Sequence, residues 1–152
     1  MARSRAVSPL DAHLGYWLRF VSNQVSQAFA AKLAGQDVTA AEWVLLRELY
    51  DGDAAPSVLA DRLGMTRGAI SKLADRLSDK TLLIRTAETS DKRYQSLALT
   101  AAGRKLVPAL AALADQNDAE FFGDLAAAER RDLKRLMQAI ARQHGLKTIP
   151  ID

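Results

Sequence analysis

Two short apolar-striped segments separated by three residues constrain this chain more than any other feature. After Pro56, the residues Val58, Leu59, Ala60 and Leu63 fit one short helix, and Gly64 sits where a residue of positive φ is wanted to end it. Only Met65 separates that glycine from Thr66, a good N-cap for the next helix. This next helix presents Ile70, Leu73, Ala74 and Leu77 inward, while Arg67, Gly68, Ser71, Lys72, Asp75 and Arg76 face out. Two helices joined by so brief a turn have the layout of a helix-turn-helix; an αα-hairpin of a helical bundle with a charged exterior is the alternative.

The pattern then changes period. Leu82 to Glu88 and Tyr94 to Leu99 read as strands, with Gln95, Leu97 and Leu99 on one side and Tyr94, Ser96 and Ala98 on the other. Between them the polar run Thr89-Ser90-Asp91-Lys92-Arg93 makes a hairpin with two cations at its tip. A hairpin directly after an outward-facing polar helix makes a wing. The helix has the residue types for a DNA major groove: Gly68 permits close approach, Arg67 and Lys72 donate to guanine edges or phosphates, and Ser71 serves either. Lys92 and Arg93 suit a neighbouring groove, where a narrow minor groove favours arginine. Asp91 fits if its carboxylate accepts hydrogen bonds within the wing or pairs with Arg85 on the first strand.

Long helices flank this unit. Ser8-Pro9 reads as N-cap and first helical residue, and Leu10, Leu14, Trp17, Val21, Val25 and Ala28 carry an apolar stripe that stops near Gly35. Thr39 to Glu42 reads as a capping box for a helix whose face is Trp43, Leu46, Leu49 and Tyr50, ended by Asp51-Gly52. Thr100 caps a helix through about Phe121, with Leu106, Leu110, Leu113 and Ala114 along it. Residues 127–143 form the last helix, with Leu133, Leu136, Met137 and Ile140 inside and His144-Gly145 closing it. The fold class is mainly α with a small β-hairpin (α+β): a winged lobe over 36–100 and a helical dimerisation region over 8–35 and 101–152. The long helices exceed what one small module can cover, and Phe121, Phe122, Leu146, Ile149 and Ile151 add apolar surface, so a dimer is expected.

Composition narrows the chemistry. Over 152 residues the net charge is only +3, but 36–61 carries six acidic and one basic side chain, and 62–99 carries eight basic and four acidic. Such polarity can steer a polyanion. With no cysteine, thiol sensing and thiolate metal sites are excluded. His13 and His144 lie at opposite ends of the chain, and no metal or other cofactor is expected. GxGxxG, GxxxxGK[ST], HExxH and GxSxG are all absent, so no enzyme is expected. Leu106 to Ala114, the longest uncharged apolar stretch, contains Pro108 and is far short of the ~20 residues that span a bilayer; the N-terminus lacks an apolar signal core, and a cytoplasmic location is expected.

The order long helix, TxxE helix, LADRLGMTRGAISKLADRL, LLIRTAETSDKR, LALTAAGR and two further helices resembles the MarR family of winged helix-turn-helix transcriptional regulators over nearly the whole chain. Its most specific pieces are the aspartate-x-arginine wing tip, Asp91-Lys92-Arg93, and the Leu-Thr-x-x-Gly junction, Leu99 to Gly103. The resemblance implies a homodimer in which the first, fifth and sixth helices of both subunits interlock, a pseudo-palindromic operator, and repression relieved by a ligand. It implies that Thr66, Arg67, Gly68, Ser71, Lys72, Arg76, Arg85, Asp91, Lys92 and Arg93 form the DNA site, with Arg93 in the minor groove and Arg76 and Arg85 near phosphates or bracing the wing. Relatives of this kind respond to small aromatic or anionic compounds in a crevice between dimer helices and winged module. His13, Tyr16, Trp17, Arg19, Trp43 and Arg47 supply aromatic walls and two guanidinium groups for such a ligand, and packing is the competing role. One departure concerns the last helix: Ala126 to Ala128 stand where the family has a serine or threonine cap, leaving Asp124 or a frayed start. A helical protein-binding module without specific DNA affinity is the rival reading.

Replacing Arg93 by alanine should cost about 1–3 kcal/mol of DNA affinity with fold and dimerisation intact. Fluorescence anisotropy against a selected DNA fragment measures it, and unchanged binding would make the wing decorative.

Overall fold

In the computed structural model, residues 6–87 and 95–147 are described. After a single 3₁₀ turn at Leu10–Ala12 come α1 (Leu14–Ala34), α2 (Ala40–Tyr50), α3 (Pro56–Leu63), α4 (Arg67–Asp79), β1 (Leu83–Ala87), β2 (Gln95–Leu99), α5 (Ala101–Phe122) and α6 (Ala127–Gln143). The core is built on the inner faces of α2, α3 and α4. Leu45, Leu46, Leu49, Leu59, Leu63, Ile70 and Leu77 are fully buried there with Leu33, Leu83, Leu97 and Leu110.

The turn between α3 and α4 follows from local chemistry. Gly64 has φ 62° and ψ 31°, a left-handed conformation that costs a side-chain-bearing residue more than glycine. The chain then reverses, Met65 N–H donates to the Ala60 carbonyl at 2.9 Å, and the Thr66 hydroxyl accepts from Ala69 N–H at 3.1 Å, so α4 starts one residue later. Ile70, Leu73, Ala74 and Leu77 are buried as their spacing predicts, whereas Val58 of α3 stays substantially exposed.

β1 and β2 pair antiparallel from Leu83 opposite Leu99 to Ala87 opposite Gln95. Ala54 exchanges two further bonds with Leu97, at 3.2 and 2.8 Å, and gives β2 a second neighbour that sequence periodicity did not show. Glu88, Tyr94 and the wing tip Asp91-Lys92-Arg93 lie outside the described residues, as do Ile149 and Ile151.

The junction Leu99 to Gly103 has a clear physical basis. Thr100 N–H donates to the Leu82 carbonyl at 3.1 Å and its hydroxyl donates to the Thr81 carbonyl at 2.7 Å. The same hydroxyl oxygen accepts from Gly103 N–H at 3.1 Å and caps α5. Gly103 is buried, and a Cβ there would overlap the Leu82 carbonyl.

Four expectations are corrected. Ser8-Pro9 does not begin α1: Pro9 and His13 are extended, and the Trp17 indole donates to the Asp11 carbonyl at 2.8 Å, holding a separate turn before Leu14. Thr39 caps α2 through Glu42 N–H at 3.1 Å, but the Glu42 carboxylate does not complete a capping box. It is 2% exposed and accepts from the Thr39 hydroxyl at 3.2 Å and from Lys80 Nζ at 2.8 Å. Neither Asp124 nor fraying starts α6: Glu129 reaches back and accepts from Ala126 N–H at 2.9 Å. Leu133, Leu136, Met137 and Ile140 are not inside this chain: they are 39–55% exposed, and no residue of α6 is buried. The stripe of α1 behaves alike, with Leu14, Trp17 and Val21 exposed and only Leu33 buried.

Gly103→Ala forces the α5 start away from Leu82 and should destabilise the fold by about 1–3 kcal/mol. Urea unfolding followed by circular dichroism reads the change, and wild-type stability would show that the corner yields freely.

Candidate nucleic-acid interface

The outward side of α4 is polar and accessible. Thr66, Arg67, Gly68, Lys72 and Arg76 are exposed, and Ser71 is half-buried. Among the described residues none of Arg67, Lys72 and Arg76 is held in an ion pair. Gly68 has no internal need to be glycine, because a Cβ there meets only the Thr66 hydroxyl at 3.9 Å, an ordinary contact. Gly68 therefore leaves open space on the outward side of the first turn of α4.

Arg85 has a partner that the sequence reading did not name. Its guanidinium donates to the Asp75 carboxylate at 2.6 Å and to the Ser71 carbonyl at 3.1 Å, tying β1 to the middle of α4. A charge-assisted bond of this length is stronger than a neutral one. Arg85 therefore braces the wing's first strand against the helix, and it neutralises Asp75 on a face otherwise rich in cations. Asp91, proposed for this role, is outside the described residues.

The six residues considered for a ligand do not converge within one chain. His13, Tyr16, Trp17 and Arg19 are exposed at the start of α1, with Tyr16, Trp17 and Phe20 in mutual ring contact. Arg47 pairs with Asp51 at 3.0 Å and lies over the Tyr50 ring. Trp43 alone lines a cleft of about 300 Å³ between α1, α2 and α5, with Val25, Phe29, Val44, Ala114 and Asn117. Asn117 is buried, accepts from Lys32 Nζ at 3.0 Å and donates to the Val25 carbonyl at 3.1 Å. Lys32 also pairs with Glu120 at 2.7 Å. The hydrogen bond from Lys32, then that from Gln116, holds the Glu120 carboxyl below its ordinary value. Asn117 could have been found in the sequence, since it continues the Leu106, Leu110, Leu113 stripe at helical spacing.

A sequence profile of the MarR family matches residues 36–93. An HTH-type transcriptional repressor of Mycobacterium tuberculosis is 30% identical over 131 residues, 86% of this chain and 94% of that protein. The chain belongs to the MarR family. Its fold matches the MarR-family S. aureus MepR in complex with DNA, with a TM-score of 0.76, 26% identity and coverage of 86% of this chain and 98% of that one. It also matches a mutant E. coli MarR complexed with operator DNA, with a TM-score of 0.74, 25% identity and coverage of 84% and 92%. The chain is thus a winged helix-turn-helix transcriptional regulator of the MarR family, and among the described residues no helix is long and apolar enough to cross a membrane.

Gly68→Ala separates the two demands on α4. It should raise stability by about 0.5 kcal/mol through helix propensity while weakening DNA binding. Paired urea and anisotropy titrations test this, and equal or tighter DNA binding would remove Gly68 from the interface.

Proposed function

We propose that this regulator binds a pseudo-palindromic operator as a homodimer, acts as a repressor, and releases the DNA when a small aromatic compound occupies the cleft at Trp43. The observation that carries the DNA reading is the division of α4, which buries four apolar residues and leaves Arg67, Gly68, Lys72 and Arg76 open beside the braced strand β1. Residues 36–100 act as the DNA-reading lobe, with Asp91, Lys92 and Arg93 at the wing tip. Residues 8–35 and 101–152 act in dimerisation. An isolated helix of 17 residues is marginal in water, and α6 with its whole apolar stripe exposed needs a partner surface. A two-fold dimer sets half-sites about 10 base pairs apart.

The test selects bound fragments from random DNA, then titrates the selected site against salt. Log affinity should fall linearly with log salt, as phosphate contacts require. Arg67→Ala or Lys72→Ala should relax sequence preference where the side chain reads a base, and weaken all sequences alike where it holds a phosphate. Weak, sequence-blind binding with a flat salt response would overturn the reading in favour of a protein-binding module.

A further inference from the structure

The cleft's lining carries a sign. Phe29, Trp43, Val44 and Ala114 give aromatic and aliphatic walls, and the polar side-chain groups among the lining residues are the Ser26 hydroxyl, the Trp43 indole N–H, the Asn117 amide and the Asp118 carboxylate, which is the one charged group of the four. Among the described residues no lysine, arginine or histidine lines it. Among the described residues Lys32 and Arg47 come near, and both are engaged. Lys32 bonds Asn117 and is neutralised by Glu120. Arg47 lies one turn beyond Trp43 on the same side of α2 but is drawn to Asp51 and the Tyr50 ring. An organic anion entering here would shed water, meet a carboxylate, and find Lys32 and Arg47 already paired; an aromatic cation would meet two aromatic side chains and a counter-ion.

We infer that the cleft takes a flat aromatic compound bearing a positive charge or a neutral hydrogen-bonding group, with Asp118 as its counter-ion or acceptor, and discriminates against aromatic carboxylates. This rests on the reading of the cleft as the effector site, and it sets a ligand class that the family resemblance alone leaves open.

Three indole compounds of similar size separate the possibilities: tryptamine, indoleacetamide and indoleacetate, each titrated calorimetrically into the intact protein and then into its complex with the selected operator. Tryptamine should bind about tenfold more tightly than indoleacetate, with the amide between them, and should release the operator. Asp118→Asn should bring tryptamine down to the amide's affinity and leave the amide unchanged; Asp118 is exposed, so the variant will fold. Ala30→Leu, which fills the cleft from the exposed side of α1, should abolish binding of all three. Tightest binding by indoleacetate, lost in Arg47→Gln, would overturn the charge assignment while keeping the cleft as a site. Binding in the expected order without operator release would support the ligand class and overturn its regulatory role. Failure of every compound to bind, or binding indifferent to Ala30→Leu, would overturn both.

Discussion

The three residues Lys80, Thr81 and Leu82 tie the regulator's two halves together. Lys80 ends α4 and donates to the Asp37 carbonyl at 2.6 Å, in the turn after α1, and to the buried carboxylate of Glu42 on α2. Thr81, at φ 60°, is a non-glycine residue in left-handed backbone, a strained state that persists only where surroundings fix it. Its carbonyl accepts from the Thr100 hydroxyl, while the Leu82 carbonyl accepts from Thr100 N–H and lies against Gly103. One corner thus fixes the exit of α4, the root of both strands, the start of α5 and the α1–α2 turn.

That corner makes α2 the element between the cleft and the DNA-facing helix. Ala40, Trp43 and Val44 line the cleft, while Glu42, Leu45, Leu46 and Leu49 are buried on its other side. In the proposed release, a ligand that displaced α2 would carry α4 with it, because close-packed cores transmit strain and the Glu42 charge would lose its compensating partner if Lys80 did not follow. β1 is tied to α4 in turn, since Arg85 holds Asp75 and the Ser71 carbonyl. Trp43 and Arg67 stand on helices that pack directly against each other, α2 against α4, with the Glu42–Lys80 pair between the same two elements.

What the sequence made legible was local. The caps at Thr39, Thr66 and Thr100 act over three residues, and Gly64 acts on its own backbone, so spacing and residue type suffice to read them. The partners of Glu42 and Arg85 were not legible in that way. Glu42 looked like the second half of a capping box because its spacing from Thr39 is right, and only the approach of Lys80, 38 positions away, shows where its carboxylate goes. For Arg85 the sequence offered only Asp91, and the packing of β1 against α4 shows a pair with Asp75, ten positions earlier. The α6 stripe was read correctly as apolar and wrongly as internal, because periodicity marks a face that must be covered without saying which chain covers it. Within one chain the six ligand candidates do not come together for a related reason: aromatic residues on α1 and α2 share a pattern, but those of α1 lie near its start, whereas the cleft is lined by Val25, Ser26, Phe29 and Ala30 further along.

These ion pairs also change what the net charge means. The acidic excess over 36–61 suggested a polarised exterior, yet Glu42 is internal and Asp51 is compensated by Arg47. On α4 the reverse holds: Asp75 would repel a polyanion, but Arg85 cancels it from the strand. Pairing therefore removes a negative charge from the face that needs none and leaves Arg67, Lys72 and Arg76 outside any ion pair among the described residues. Exposed charges within a Debye length of a phosphate backbone act on it directly, so the local arrangement of partners, more than the small overall charge of +3, sets how strongly this surface attracts DNA.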